Sequence, residues 1–265
     1  MGVMVGLRFC TVLLAVLAVH ILATPALAQE AKPCNQAEST PVFMEFTAAY
    51  RAGNFDEAKA HLVRAVDLVP STLSCASVRG TYFQALGALE VTRENLPNAI
   101  VAYRESLRLE GGRLDTLARQ RGDDPGSLRS NLYDRTSFLL ADALVRSSQW
   151  SDAARLIDAY FNSNPRGFSA ENIGFQELHL QILNAMRRSD ADIEEALRKM
   201  IRYRSALMKE LEKPPSAVGT PDDQRNTAKF AENHDALADL LARGGRNEEA
   251  HRERQRAAEI RARKR

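Results

Sequence analysis

Few residues in this chain have both the type and the spacing for chemistry. Asp190, Asp192, Glu194 and Glu195 form an acidic cluster of the kind that could hold a cation. They also fall where a helix start is expected, and a helix N-terminus favours acid through its dipole and its cap. Asp123 and Asp124 lack the remaining ligands of a calcium loop and read as a turn. His61, His179, His234 and His251 each sit alone in a helical stretch, with no second ligand at metal spacing. His234, on an apolar face, reads as a packed helix-interface residue. Gly-x-Ser-x-Gly, Walker, His-Glu-x-x-His and Cys-x-x-Cys patterns are all absent. The expectation is a protein that is not an enzyme, with no catalytic residue, metal or cofactor.

The N-terminus reads as an export signal. Arg8 is followed by an apolar run from Phe9 to Ala23, a helix-breaking Pro25 and the small-residue triplet Ala26-Leu27-Ala28. That run is about fifteen residues, against the roughly twenty that span a bilayer. Residues 1–28 are therefore expected to be a signal peptide cleaved after Ala28. Cys10 has no convincing lipobox before it and leaves with the signal. The product should be soluble, exported and periplasmic. With 36 basic and 34 acidic residues in the whole chain, the charge is close to balanced, which argues against broad nucleic-acid binding. Cys34 and Cys75 remain after cleavage, and an oxidising compartment makes pairing sensible. A bridge of that length would contribute roughly 4 kcal/mol; two unpaired thiols are the alternative.

The elements that must position these residues come from a repeated unit. Gly53 to Pro70 reads as a turn, a short amphipathic helix and a proline stop, with Phe55, Ala58, Leu62, Ala65, Val66 and Val69 on one face. So short a helix needs a partner. Aligned on Ala58, similar units recur around Ala99, Ala153, Ala196 and Ala250. Trp150 takes the place of Phe55 and reads as packing between the helices of its unit. Each unit is preceded by a second amphipathic helix, and Leu86-Gly87 lets two helices approach closely. Asn54 to Glu57 and Asp192 to Glu195 are spaced as capping boxes, and Gly53 and Gly244-Gly245 suit the left-handed residue that ends a helix. Two linkers are expected, at Gly111–Gly126 around a short helix from Leu114 to Gln120, and at 213–222, rich in proline.

With Leu-Gly in a first helix, a small residue and an aromatic in the second, and a terminal proline, the chain resembles the tetratricopeptide repeat family from about Ser39 to Ala262. Its anchors are separated by 41, 54, 43 and 54 residues, against a family period of 34. Met208 and Ala262 stand where proline is expected. The resemblance implies an all-α fold, a right-handed superhelical stack of about five antiparallel helix pairs. Repeats one to four would occupy 29–212, and a fifth pair with a basic tail 223–265.

The resemblance also places ligand-facing positions on each first helix. They fall at Phe43, Thr47, Tyr50 and Arg51, at Gln84, at Arg135, Phe138, Asp142 and Arg146, and at Gln181 and Arg188. Such a surface suits a peptide or helix, with arginine available for a carboxylate. The lysine and asparagine set by which chaperone-binding members clamp a C-terminal carboxylate is not reproduced, since Phe43 and Thr47 stand at two of its positions. The tail, including Arg261, Arg263, Lys264 and Arg265, could meet anionic lipid or an acidic partner, or solubilise the last repeat. The implied function is a non-enzymatic periplasmic adaptor that binds a peptide or partner protein in envelope assembly or secretion. The alternative is an accessory subunit of an envelope enzyme, or a polyanion binder acting through the tail.

Overall fold

A computed structural model describes residues 34–163, 170–211 and 221–262; the expected signal segment, Pro165, Arg263, Lys264, Arg265 and the proline-rich segment as far as Thr220 lie outside these. Among the described residues there are ten α-helices: α1 (Ser39–Arg51), α2 (Phe55–Leu68), α3 (Ala76–Thr92), α4 (Leu96–Arg121), α5 (Asn131–Arg146), α6 (Trp150–Ser163), α7 (Ala170–Ala185), α8 (Asp190–Leu211), α9 (Pro221–Arg243) and α10 (Asn247–Ala262). They form five pairs, all within the unit Asn35–Arg265. No described helix is long and apolar enough to cross a membrane.

One turn closes every pair. Gly53, Glu94, Ser148, Arg187 and Gly245 all take positive φ, from 52° to 79°. The amide after each reaches back five residues: Asn54 to the Ala49 carbonyl at 2.9 Å, Asn95 to Glu90 at 2.8 Å, Gln149 to Leu144 at 2.8 Å, Arg188 to Leu183 at 2.9 Å and Arg246 to Leu241 at 2.9 Å. This Schellman closure satisfies carbonyls that the helix end leaves open. Only two of the five positions carry glycine, so the other three hold an L-residue in a conformation costing about 1–2 kcal/mol.

Beyond four of the five turns a small residue sits at the helix crossing. Ala58, Ala99 and Ala153 are fully buried, and Ala196 and Ala250 nearly so. The fourth unit departs from the expected register. Its turn is one residue longer, and Ser189, not Asp192, caps α8, accepting from the Asp192 amide at 3.2 Å. The Ile193 amide then bonds the Ser189 carbonyl as the Ala58 amide bonds that of Asn54. Ile193 therefore holds the Ala58 position, and Ala196 lies nearly a turn further on. The capping box expected at Asn54 is also absent: the Asn54 side chain donates to Glu57 Oε2 at 3.1 Å and caps no amide.

The linker expected at Gly111–Gly126 is, as far as Arg121, helix. α4 runs unbroken through Gly111-Gly112 and ends at Gly122, whose φ is 78°. Tertiary contacts override the two poor helix formers. Glu110 accepts from Arg113 Nε at 2.9 Å and from Ser130 Oγ at 2.7 Å, which brackets the glycines and ties α4 to the start of α5. Burial alone would raise the Glu110 carboxyl, but the hydrogen bonds from Arg113 and Ser130 outweigh it and hold the group below its usual range.

The first helices of successive pairs touch one another. Phe43 of α1 stacks on Tyr82 of α3 at 4.7 Å, and the Tyr50 and Thr92 hydroxyls meet at 3.0 Å. Gln84 of α3 donates to Thr136 Oγ1 of α5 at 2.6 Å. Phe138 of α5 meets the Phe175 ring of α7 edge-on at 5.5 Å. Lys229 of α9 pairs with Glu177 of α7 at 2.8 Å. Arg79 of α3 reaches the carbonyls of Val66 and Val69 at 2.9 and 2.7 Å, closing the end of α2 from the next pair.

The tightest crossing is Gly87 against Tyr103: a Cβ on Gly87 would lie 2.4 Å from the ring. Gly87→Ala should lower stability by roughly 1–3 kcal/mol. Glu94→Gly, which relieves the left-handed turn, should raise it by about 1 kcal/mol. Urea unfolding of the two variants beside the parent measures both signs.

Candidate functional site

Four residues expected to face a ligand, Tyr50, Arg135, Asp142 and Arg146, act electrostatically on a side chain that the repeat pattern placed only behind an anchor. Tyr103 belongs to α4, a second helix. Because Gly87 of α3 has no side chain, the Tyr103 ring crosses over it and is almost fully buried. Its hydroxyl is pushed from 10.0 up to about 12, first by burial and then by the Asp142 charge; Arg146 and Arg135 oppose this more weakly, and Tyr50 adds a small push upward. So α1, α4 and α5 bring two aromatic hydroxyls, a carboxylate and two guanidinium groups into a single field.

Around Tyr103 the charges are unequally committed. Asp142 is half-buried, and burial raises its carboxyl despite Arg146, whose Nη1 lies 3.8 Å away. Arg146 and Arg135 are both exposed. Arg135 makes no ion pair among the described residues. The arrangement is a donor-rich surface beside aromatic faces, suited to a carbonyl or carboxylate presented by an extended or helical segment.

The remaining sequence-derived positions separate into two groups. Phe43, Gln84 and Phe138 join neighbouring first helices, through Tyr82, Thr136 and Phe175 respectively. Thr47 returns its hydroxyl to the Phe43 carbonyl at 3.0 Å. Arg51, Gln181 and Arg188 are exposed, and no hydrogen bond or ion pair among the described residues joins them to the Tyr103 cluster. Nothing in the spacing marked Tyr103 as part of a site. The signal available was Leu86-Gly87 facing an aromatic four residues after Ala99.

The other candidates are taken up in structure. Glu194 accepts from Arg198 at 2.9 Å and from Arg246 at 2.8 Å, and Asp192 accepts from Ser189 at 2.8 Å. His234 pairs with Glu253 at 2.6 Å across α9 and α10 and is buried. Burial lowers the His179 imidazole, and nearby carboxylates counter it only in part. Trp150 is partly buried and packs against the central apolar cluster. In the tail, Arg261 bonds Asp235, Arg254 bonds Asp239 at 3.0 Å and Arg256 bonds Glu253 at 2.8 Å. Cys34 and Cys75 are each disulfide-bonded. No group of three or more potential metal ligands occurs among the described residues.

These features define an all-α protein of stacked helix pairs, tetratricopeptide-like in construction. No protein-family model matches the chain, and no curated protein matches it significantly. Among solved structures, BtubC (BKLC) from P. vanneervenii has the same kind of fold, with a TM-score of 0.57 at 12% identity, covering 83% of this chain and 78% of that one. A tetratricopeptide repeat protein from Parabacteroides merdae ATCC 43184 also matches, at 10% identity over 84% of this chain and 93% of that one; its TM-score of 0.25 is too low to add weight.

A group whose folded pKa is raised favours the protonated fold, so the Tyr103 contribution weakens as pH climbs from 10.0 to about 12, where the unfolded chain ionises first. Tyrosinate absorbance recorded on the parent and on Tyr103→Phe should differ by a transition centred near 12. A difference centred near 10 would mean a solvated hydroxyl.

Proposed function

We propose that this chain is a non-enzymatic adaptor that holds a peptide segment or partner protein on the surface made by its first helices, with Arg135 and Arg146 as its polar anchors. The observation that carries this reading is the exposure of Arg135 and Arg146 on one first helix, with Arg146 beside Asp142 at 3.8 Å and all three in the electrostatic field of the buried Tyr103. Aromatic and arginine side chains at the centre of a patch are the residue types that dominate protein interfaces. The helix-pair fold supports it as well, because stacked pairs present an extended surface rather than a closed pocket. The N-terminal segment further suggests that the adaptor works in the periplasm, in envelope assembly or secretion. A tail-driven role has less to recommend it, since Arg254, Arg256 and Arg261 are each bonded to an acid of α9 or α10.

A photo-reactive amino acid at Arg135 should capture one partner from an envelope preparation. Arg146→Ala and Tyr50→Ala should each weaken that capture about tenfold, whereas ending the chain at Ala262 should leave it unchanged. Capture that survives both substitutions and disappears with residues 263–265 would contradict the proposal.

A further inference from the structure

Elsewhere on the first two pairs, α2, α3 and α4 line an open cavity of about 610 Å³. That lies within the usual range of small-ligand sites, about 300–1,000 Å³. Its wall is largely apolar, with Phe83 and Leu86 from α3 and Ala102 from α4, and Val101, 65% exposed, stands at the mouth.

Set into this wall is Glu90, 1% exposed. The Lys59 ammonium lies 2.7 Å from Glu90 Oε1, but neither carboxylate oxygen makes an aligned hydrogen bond. An ionised carboxylate offers about four acceptor sites, and buried polar groups are nearly always hydrogen-bonded. Glu90 therefore faces the cavity with acceptor capacity unused. The neighbouring cations are committed elsewhere. Arg104 bonds Asp152 at 2.9 Å, and Arg108 holds Glu105 through two bonds of 2.7 and 2.6 Å. Arg93, held by Asp56 at 2.6 Å, stands 3.9 Å from the same Glu90 oxygen, and Lys59, partly exposed, must shift for a ligand to reach the carboxylate. Both cation contacts fall on Oε1, which leaves Oε2 as a buried acceptor with no partner.

We infer that this cavity is a binding site for a small amphiphilic organic cation, its ammonium or guanidinium on Glu90 and its apolar body against Phe83, Leu86 and Val101. Stem and head then match wall and floor, as they do when a lysine side chain lies along an apolar surface with its charge at the end. The site is separate from the Tyr103 surface and does not depend on the adaptor reading.

Three probes with one body and different heads test this: 4-phenylbutylammonium, 4-phenylbutanol and 4-phenylbutanoate, titrated into the full exported chain and followed by NMR chemical shifts. The cation should bind saturably and at least tenfold more tightly than the alcohol, shifting residues of α2, α3 and α4. Glu90→Gln should reduce it to the level of the alcohol. Val101→Trp, at an exposed position where bulk does not disturb folding, should block it. Arg135→Ala should leave it unchanged. Failure of the cation to bind, equal or tighter binding of the butanoate or the alcohol, or binding that survives both Glu90→Gln and Val101→Trp would overturn the inference.

Discussion

Two helices pair most closely where something small stands at their crossing, and four of the five pairs depend on that constraint, the fourth pair placing Ile193 there instead. Ala58, Ala99, Ala153 and Ala250 meet it on the second helix of four pairs, and Gly87 meets it on the first helix of the second pair. The Schellman turn supplies the other half, since it fixes the angle at which the second helix leaves the first. Neither part suffices by itself: short amphipathic helices are marginal in water until their apolar faces are covered. Once paired, each unit leaves apolar surface on its first helix, which the next pair covers through contacts such as Phe43 on Tyr82 and Phe138 on Phe175.

The close approach also creates the chemistry. Because Gly87 lets the Tyr103 ring through, a hydroxyl from a second helix reaches the face where Asp142, Arg135 and Arg146 gather. Burial then withholds water from the hydroxyl and half of it from Asp142, while the arginines remain in solvent. Elsewhere on the same pair, Glu90 is buried with its Oε1 beside Lys59 and its Oε2 without a partner. One helix pair thus presents two unlike surfaces, exposed arginines around a hydroxyl toward the first helices and a buried carboxylate in a largely apolar wall toward the second.

Much of the fold was legible because its signal is local and repeated. Residues three and four apart mark a helix face, and Ala58, Ala99, Ala153 and Ala250 carry the same pattern without help from tertiary structure. What escaped depends on partners far along the chain. The helix through Gly111-Gly112 survives because Ser130 and Arg113 hold Glu110, and no propensity reveals that. The fourth unit slipped because one inserted residue moved the cap to Ser189, so that Ala196 looked like an anchor while Ile193 took the place. Glu94, Ser148 and Arg187 occupy a conformation that glycine would announce, and none of them is glycine. The site was half legible: Tyr50, Arg135, Asp142 and Arg146 followed from helix position, whereas Tyr103 required knowing what Gly87 faces.

The most direct measurement places leucine at Ala58, Ala99, Ala153 and Ala250 in turn and follows urea unfolding of each variant. If small residues at the crossings hold the pairs together, every substitution should cost roughly 1–3 kcal/mol from overpacking with little change in the slope against denaturant. An anchor that accepts leucine without loss, Ala250 above all since it closes the final pair, would contradict the stacked-pair architecture at that point.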